Sequence, residues 1–345
     1  MATIGREGSK VQQMIGNWAK ALGTKKSQMS QFGKGGGAPC GFTCANAIVF
    51  NKIKAKLGLD QAKACFTAAA PISPETLWYF GSLNIPVYEV FGQSECSGPQ
   101  TVSAPGVWKI GSCGRPFKGS ESKIDKATGE LCYRGRHIFM GYMYMEEKTK
   151  ETIDKDGFLH SGDVAAFDDD ADRDITAGPS GFMKITGRIK ELIITAGGEN
   201  VAPVLIENTM KKHMLAVSNC MVIGDKQKFL AMLVSVKTTT GPDGQPTDIL
   251  APDTLFEGKR IGSSAKTVAD VQNDAKWTKY FDDGMKEANK EAASNAQKVN
   301  KYYVLPGDFS EKEGTLTPTM KLKRNVATKM YDADIVAVYG KDYKK

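Results

Sequence analysis

Ala64-Cys65-Phe66-Thr67 and Pro86-Val87-Tyr88-Glu89-Val90-Phe91 are two short apolar runs, and the segment between them, opening Ser73-Pro74-Glu75, decides how they connect. Each run has the length and content of a buried strand. Ser73 is placed to N-cap a helix that carries Glu75 in its first turn and runs through Gly81. Strand, helix, strand is the rhythm of a parallel sheet. Ligands of such sheets bind beyond the carboxyl ends of the strands. Ala68-Ala69-Ala70-Pro71 and Phe91-Gly92-Gln93-Ser94-Glu95 lie at those two ends.

Upstream, Val11, Met14, Ile15, Trp18 and Leu22 fall at helical spacing, and residues 45–57 read as another helix. The breaker cluster at 32–39 is not GxxxxGK[ST], and no buried strand precedes it to aim its amides, so it reads as a connector rather than a phosphate loop. Downstream, residues 106–187 change to short strands and Gly turns, such as Gly129-Glu130-Leu131-Cys132-Tyr133-Arg134-Gly135, the grammar of a β-rich subdomain. The acidic run from Asp168 fails as a calcium loop, with Arg173 at its sixth position and Pro179 at its twelfth, and is expected as a solvated hairpin tip. From Lys190 a small α+β domain is expected: strands at 192–194, 218–223 and 230–236, a helix at 203–214, a helix at 280–296 and a strand at 302–305. Residues 238–264, rich in Gly, Pro, Asp and Thr, read as a surface insertion. The expected division is 1–189 and 190–345, an α/β class chain with a parallel sheet and the β-rich part in the first domain.

A length of 345 residues has room for two domains. No apolar run reaches the ~18 residues of a membrane span, and Met1-Ala2-Thr3-Ile4-Gly5-Arg6-Glu7 lacks the apolar core of a secretory signal. Seven cysteines, an odd number without a CxxC pair, point to a reduced compartment. Cys40 and Cys44 are one helical turn apart but have no further clustered ligands. A cytoplasmic location is expected, with peripheral contact on an intracellular membrane in view. The net charge of +7 is spread along the chain, which suits anions such as ATP, CoA or lipid headgroups. No nucleic-acid signature is present, so nucleic acid is not expected as a partner.

Three later stretches join Phe91–Glu95: His160-Ser161-Gly162-Asp163, Gly187-Arg188-Ile189-Lys190-Glu191 and Pro318-Thr319-Met320-Lys321. Each is weak alone. In this order the set resembles the acyl-adenylate-forming superfamily of acyl-CoA synthetases, luciferases and peptide-synthetase adenylation domains. Phe66-Thr67-Ala68-Ala69-Ala70-Pro71-Ile72-Ser73 and Glu191-Leu192-Ile193-Ile194-Thr195-Ala196-Gly197-Gly198-Glu199-Asn200-Val201-Ala202-Pro203 are closer still to long-chain acyl-CoA synthetases of the bubblegum type. The resemblance runs from about Ile15 to the end. The family's Ser/Thr/Gly-rich phosphate loop belongs upstream of anything here, so the chain is expected to be the C-terminal portion of such a ligase: the distal part of the large domain, then the small lid.

The resemblance implies a long-chain fatty acid–CoA ligase using ATP, Mg²⁺ and CoA through an acyl-adenylate. It implies Lys321 and Glu95 as catalytic residues, Lys321 as the cation that bridges substrate carboxylate and ATP, and Glu95 as the Mg²⁺ carboxylate. Phe91 stands where most relatives stack a Tyr on adenine. Ala69 and Ala70 line the nucleotide pocket beside Ala68, where the family favours Gly; Gly92 lets backbone approach the nucleotide, and Ser94 reaches the α-phosphate. Asp163 accepts the ribose hydroxyls, as an acceptor-only carboxylate can, with Arg188 near the same ribose. Lys190 is the hinge, and Gly197, Gly198 and Glu199 form a loop on the CoA side. His160 is expected to be structural, His137 and His213 carry no visible constellation, and Lys323 with Arg324 reads as a basic patch. The fatty-acid tunnel lies mostly upstream, so chain length is not readable. The polypeptide as written is expected to bind AMP or acyl-AMP feebly, if at all, and not to turn over ATP by itself. The competing expectation is a non-catalytic nucleotide-binding or interaction protein derived from such a ligase.

Overall fold

Helix α1 (Lys10–Ser30) begins at a reciprocal cap: the Ser9 hydroxyl accepts the Gln12 amide, and the Gln12 side chain accepts the Ser9 amide. The computed structural model describes residues 9–32, 36–69, 72–168, 181–340 and 343. Two compact units divide it, Met1–Ile185 and Thr186–Lys345. The break falls inside a strand, a few residues before the 189/190 boundary expected from the sequence. Expectations for the leader, for Gly33–Gly35, for Ala70 and Pro71 and for the acidic hairpin tip concern residues outside the described set.

In the first unit, α2 (Phe42–Ala45) runs through a π turn at Asn46–Phe50 into α3 (Asn51–Lys56). Strand β1 (Cys65–Thr67) lies parallel to β2 (Val87–Gln93), with Cys65 opposite Val87. Between them α4 (Pro74–Ser82) has Pro at its first position and Ser73 as its cap, the hydroxyl accepting the Thr76 amide at 3.2 Å. The strand–helix–strand reading therefore holds. β2 then pairs antiparallel with β3 (Gly98–Val102), and β3 with β4 (Arg115–Pro116). A second sheet takes β5 (Glu121–Ile124), β6 (Glu130–Arg134), β7 (Leu159–Asp168) and β8 (Phe182–Arg188) in that order, with α5 (Glu146–Thr152) between β6 and β7. Its core is Leu131, Tyr133, Leu159, Ala165 and Met183, joined by Cys96 from the turn after β2.

The second unit opens with the short hairpin β9 (Ile193–Ile194) and β10 (Asn200–Val201), followed by α6 (Pro203–His213). Its sheet has the order β11 (Val217–Ile223), β12 (Leu230–Val236), β15 (Val299–Val304), with β12 antiparallel to β11 and parallel to β15. Every residue of β12 is buried, because both faces are covered. Leu230, Met232 and Val234 face a core containing Met210, Trp277 and Phe281; Ala231 and Leu233 face one containing Phe309, Tyr331 and Tyr339. The first layer comes from α6, α7 (Pro252–Arg260), α8 (Val268–Asn273) and α9 (Ala275–Asn289), and the second from α10 (Arg324–Met330) and α11 (Asp332–Tyr339).

One expectation fails here. Residues 238–264 are no surface insertion but a hairpin, β13 (Thr238–Thr240) with β14 (Pro246–Leu250), and then α7. The breakers are placed to start structure: Pro252 sits in the first turn of α7, and Gly244 takes φ +76 in the hairpin turn. Leu250 is 1% exposed and joins the core.

Candidate functional site

In the first unit the end of β2 turns sharply. Ser94–Cys96 form one 3₁₀ turn, anchored because the Cys96 thiol is buried and donates to the Gly98 carbonyl at 3.0 Å while the Phe139 amide donates to the Glu95 carbonyl at 2.8 Å. Ser94 stays exposed and Glu95 half-buried. One Glu95 carboxylate oxygen accepts the Tyr142 hydroxyl at 2.6 Å. That bond, more than burial, raises the Tyr142 phenol above its ordinary value. Phe91 is half-buried and rests against the Leu131–Tyr133 core, so part of its ring is already used in packing.

Gly92 has a reason to be glycine within the fold itself. A Cβ there would lie 1.9 Å from the Gly98 carbonyl oxygen across the β2–β3 ladder. The sequence reading gave this glycine to the nucleotide; close strand pairing already requires it. Ala69 adopts φ +73 just beyond β1, a left-handed conformation that costs an alanine about 1 kcal/mol. Ala70 lies outside the described residues.

Asp163 is 4% exposed, in β7, and one of its oxygens accepts the Gln93 side-chain amide at 2.9 Å. The structure thus joins Asp163 to the Phe91–Glu95 turn across 70 residues of sequence. The start of the same strand is held by Glu130, whose carboxylate accepts the Gly162 amide at 2.8 Å and lies 2.8 Å from His160 Nδ1. Gly162 supplies φ +72. His160 Nε2 faces Asp154 at 3.5 Å, so this histidine is braced between two carboxylates, the structural role expected of it. Glu130, Cys132 and His160 also bring one ligand atom each within 4.8 Å of one another. Glu130 and His160 hydrogen-bond to each other within this cluster, and burial pushes the Cys132 thiol up to about 11.

In the second unit Arg188 and Lys190 are exposed around the 3₁₀ turn Ile189–Glu191. Gly197, Gly198 and Glu199 form the exposed β9–β10 turn: Gly198 takes φ +80, and Glu199 accepts the Ser294 hydroxyl at 3.2 Å. Lys321 closes a tight hairpin. Leu316 bridges Leu322, the Thr317 amide donates to the Lys321 carbonyl at 2.8 Å, and the Lys321 amide donates to the Thr317 hydroxyl at 2.9 Å. Pro318 opens the three-residue loop and Met320 ends it at φ +60. Among the described residues the Lys321 ammonium pairs with no carboxylate. Arg324 corrects an expectation: it is no surface patch. Its guanidinium donates to both oxygens of Glu207, itself 7% exposed, at 2.7 and 2.6 Å, while the Val222 amide donates to the same carboxylate at 2.7 Å. This pair, with Glu207 buried and Arg324 half-buried, ties the segment after Lys321 to α6 and β11.

The profile of the AMP-binding enzyme family matches residues 25–143, and that of the AMP-binding enzyme C-terminal domain matches residues 190–252. The chain belongs to the AMP-binding enzyme family. Similar curated proteins within it are the long-chain-fatty-acid–CoA ligases ACSBG2 of Xenopus laevis, 43% identical over 98% of this chain and 45% of that protein, and of Gallus gallus, 45% identical over 96% and 43%. The chain thus spans a little under half the length of these curated relatives. The fold is also that of the adenylation domain of a carboxylate reductase from Mycobacterium chelonae, with a TM-score of 0.59 and 20% identity over 93% of this chain and 45% of that one. A carboxylic acid reductase A domain from Segniliparus rugosus, solved with AMP and a carboxylic acid, gives 0.58 and 19% over 95% and 46%.

Within this chain, the residues that sequence reasoning missed are those that hold the motif residues still: Gln93, Tyr133, Tyr142 and Glu207. Gln93 alone carried a signal, since it shares a strand face with Phe91 two residues before. The partners Tyr133 and Tyr142 come from segments too distant in sequence for spacing to reveal. Glu89 was also missed. Its carboxylate accepts the Gly111 and Ser112 amides at 2.9 and 3.1 Å, yet burial prevails and pushes it up to about 7.

Proposed function

We propose that this chain supplies the adenylate-binding part and the C-terminal lid of a long-chain fatty acid–CoA ligase. The fatty-acid carboxylate attacks the α-phosphate of ATP, giving acyl-AMP and pyrophosphate; the CoA thiol then attacks the acyl carbon and AMP leaves. The observation that carries this reading is the buried Asp163 carboxylate fixed to the end of the Phe91–Glu95 turn through Gln93. It is supported by 43% identity to a relative named as such a ligase.

In this reading Asp163 accepts the ribose hydroxyls and Phe91 offers its remaining ring surface to adenine; Ala69, Ala70, Gly92, Ser94 and Arg188 are the further nucleotide-binding residues. Glu95 suits Mg²⁺: its carboxylate is half-exposed, and the hydroxyl of Tyr142 orients it through one oxygen only. The ion supplies charge neutralisation at the phosphates. Residues 190–345 act as the moving domain, with Lys190 as its hinge, Lys321 as the cation for adenylation, and Gly197, Gly198 and Glu199 facing CoA in the second step. Because the fatty acid partitions into bilayers, peripheral membrane contact belongs to the same proposal; among the described residues no helix is long and apolar enough to cross one.

Calorimetric titration of the 345-residue protein with a dodecanoyl sulfamoyl adenosine, a stable mimic of acyl-AMP, tests the reading. Saturable binding that Asp163→Ala weakens about tenfold or more is expected for loss of a hydrogen-bonded charged group. Equal affinity in the variant would contradict it.

A further inference from the structure

We infer that Gln93 is a positioning residue for Asp163, and that the Tyr133 hydroxyl anchors the other end of its amide. The inference rests on Asp163 being the ribose ligand.

Gln93 is the last residue of β2, half-buried, with a side chain that reaches the second sheet. Its Nε2 lies 2.9 Å from Asp163 Oδ2 and 2.9 Å from the Ser161 carbonyl oxygen. Both are acceptors, so the amide must turn its NH₂ toward them. Its Oε1 lies 2.8 Å from the Tyr133 hydroxyl, which therefore donates. Tyr133 is fully buried in β6, and burial raises its phenol well above the ordinary value, so it remains a donor over the working pH range. Flipping the amide would set its oxygen against a carboxylate and a carbonyl, and its NH₂ against a hydroxyl that would have to reverse its proton. Only one orientation satisfies all three contacts.

The consequence is geometric. One amide NH₂ spans the Ser161 carbonyl and the Asp163 carboxylate, fixing the rotamer of a side chain already 4% exposed. The contact to the carboxylate is made at Oδ2. Because Gln93 immediately precedes Ser94 and Glu95, the same side chain sets the turn and the ribose carboxylate in register. A hydrophobic residue here would keep the packing and lose the aim. Gln93 should therefore govern discrimination between a ribose with both hydroxyls and one with neither, which a purely structural contact would leave unchanged.

The test compares AMP with 2′,3′-dideoxy-AMP on the 345-residue protein by ligand-observed NMR titration, with thermal melts of each variant alongside. Wild type is expected to prefer AMP by about tenfold or more. Gln93→Met should bring that ratio to about 1–3 while still melting cooperatively as a folded protein, at a somewhat lower temperature, and Tyr133→Phe should give an intermediate ratio. A full wild-type preference in folded Gln93→Met overturns the inference and leaves the Asp163 reading standing, provided Asp163→Ala abolishes the preference. If Asp163→Ala keeps it, or wild type has none, the Asp163 reading falls and takes the inference with it. Should Gln93→Met not fold, Tyr133→Phe decides, since it removes one hydroxyl and no volume; an undiminished preference there overturns the inference.

Discussion

Replacing Glu89 with Gln should make the protein more stable, and increasingly so as the pH rises. Glu89 lies on β2 two residues before Phe91, and burial pushes its carboxyl up to about 7, against the opposing pull of the Gly111 and Ser112 amides and of Lys184. In the unfolded chain the group titrates near its ordinary value of 4.5. A raised acid holds its proton in the folded state where the unfolded state releases it. Its contribution is therefore fully present below about 4.5, falls as pH climbs through the window, and is gone just above about 7. The window spans ~2.5 pH units at ~1.36 kcal/mol each, on the order of 3 kcal/mol. Gln is neutral throughout and keeps an oxygen for the two amides. Its stability advantage over wild type should grow from under about 1 kcal/mol at pH 5 to roughly 3 kcal/mol at pH 8. Urea unfolding followed by tryptophan fluorescence at several pH values measures the gap. A gap constant with pH, or one that narrows toward pH 8, would refute the argument.

Gly92→Ala should cost about 1–3 kcal/mol in thermal or urea unfolding whether or not nucleotide is present, since the clash is with the Gly98 carbonyl; a neutral variant would show that the β2–β3 approach is looser than it looks. Tyr142→Phe removes the hydroxyl that orients Glu95, so the Mg²⁺ concentration for half-maximal nucleotide binding should rise about 3–10-fold. Binding of AMP without Mg²⁺ should be unaffected, and a change there would mean that Tyr142 acts on the nucleotide directly. Arg324→Met should destabilise by about 2–4 kcal/mol because the buried Glu207 loses its cation, and adding Glu207→Met should recover most of the loss; no recovery in denaturant melts would contradict this account of the pair.

Local chemistry made much of the fold legible. Ser73 announced its helix because a capping hydroxyl acts on a backbone three residues away, and the unbroken apolar run of β12 announced a strand covered on both faces. Residues 238–264 misled because Pro and Gly punctuate helix starts and hairpin turns as readily as loops. The motif residues stood out, but what holds them did not. Gln93 meets Asp163 and Tyr133 only after two sheets come together. Arg324 looked like one more surface cation until Glu207, 117 residues earlier, was seen beside it. Composition carries the identity of such partners and nothing of their pairing.

The most direct test of the account joins this chain to the part of the Xenopus laevis relative outside the matched region and separates the two half-reactions. Lys321→Ala is expected to lower fatty-acid-dependent acyl-adenylate formation by about 10²–10³-fold, as loss of one preorganised charge contact should, while CoA attack on supplied acyl-AMP proceeds at nearly the wild-type rate. Equal loss in both steps, or no loss in either, would contradict the assignment of this chain to an acyl-adenylate ligase with Lys321 as its adenylation cation.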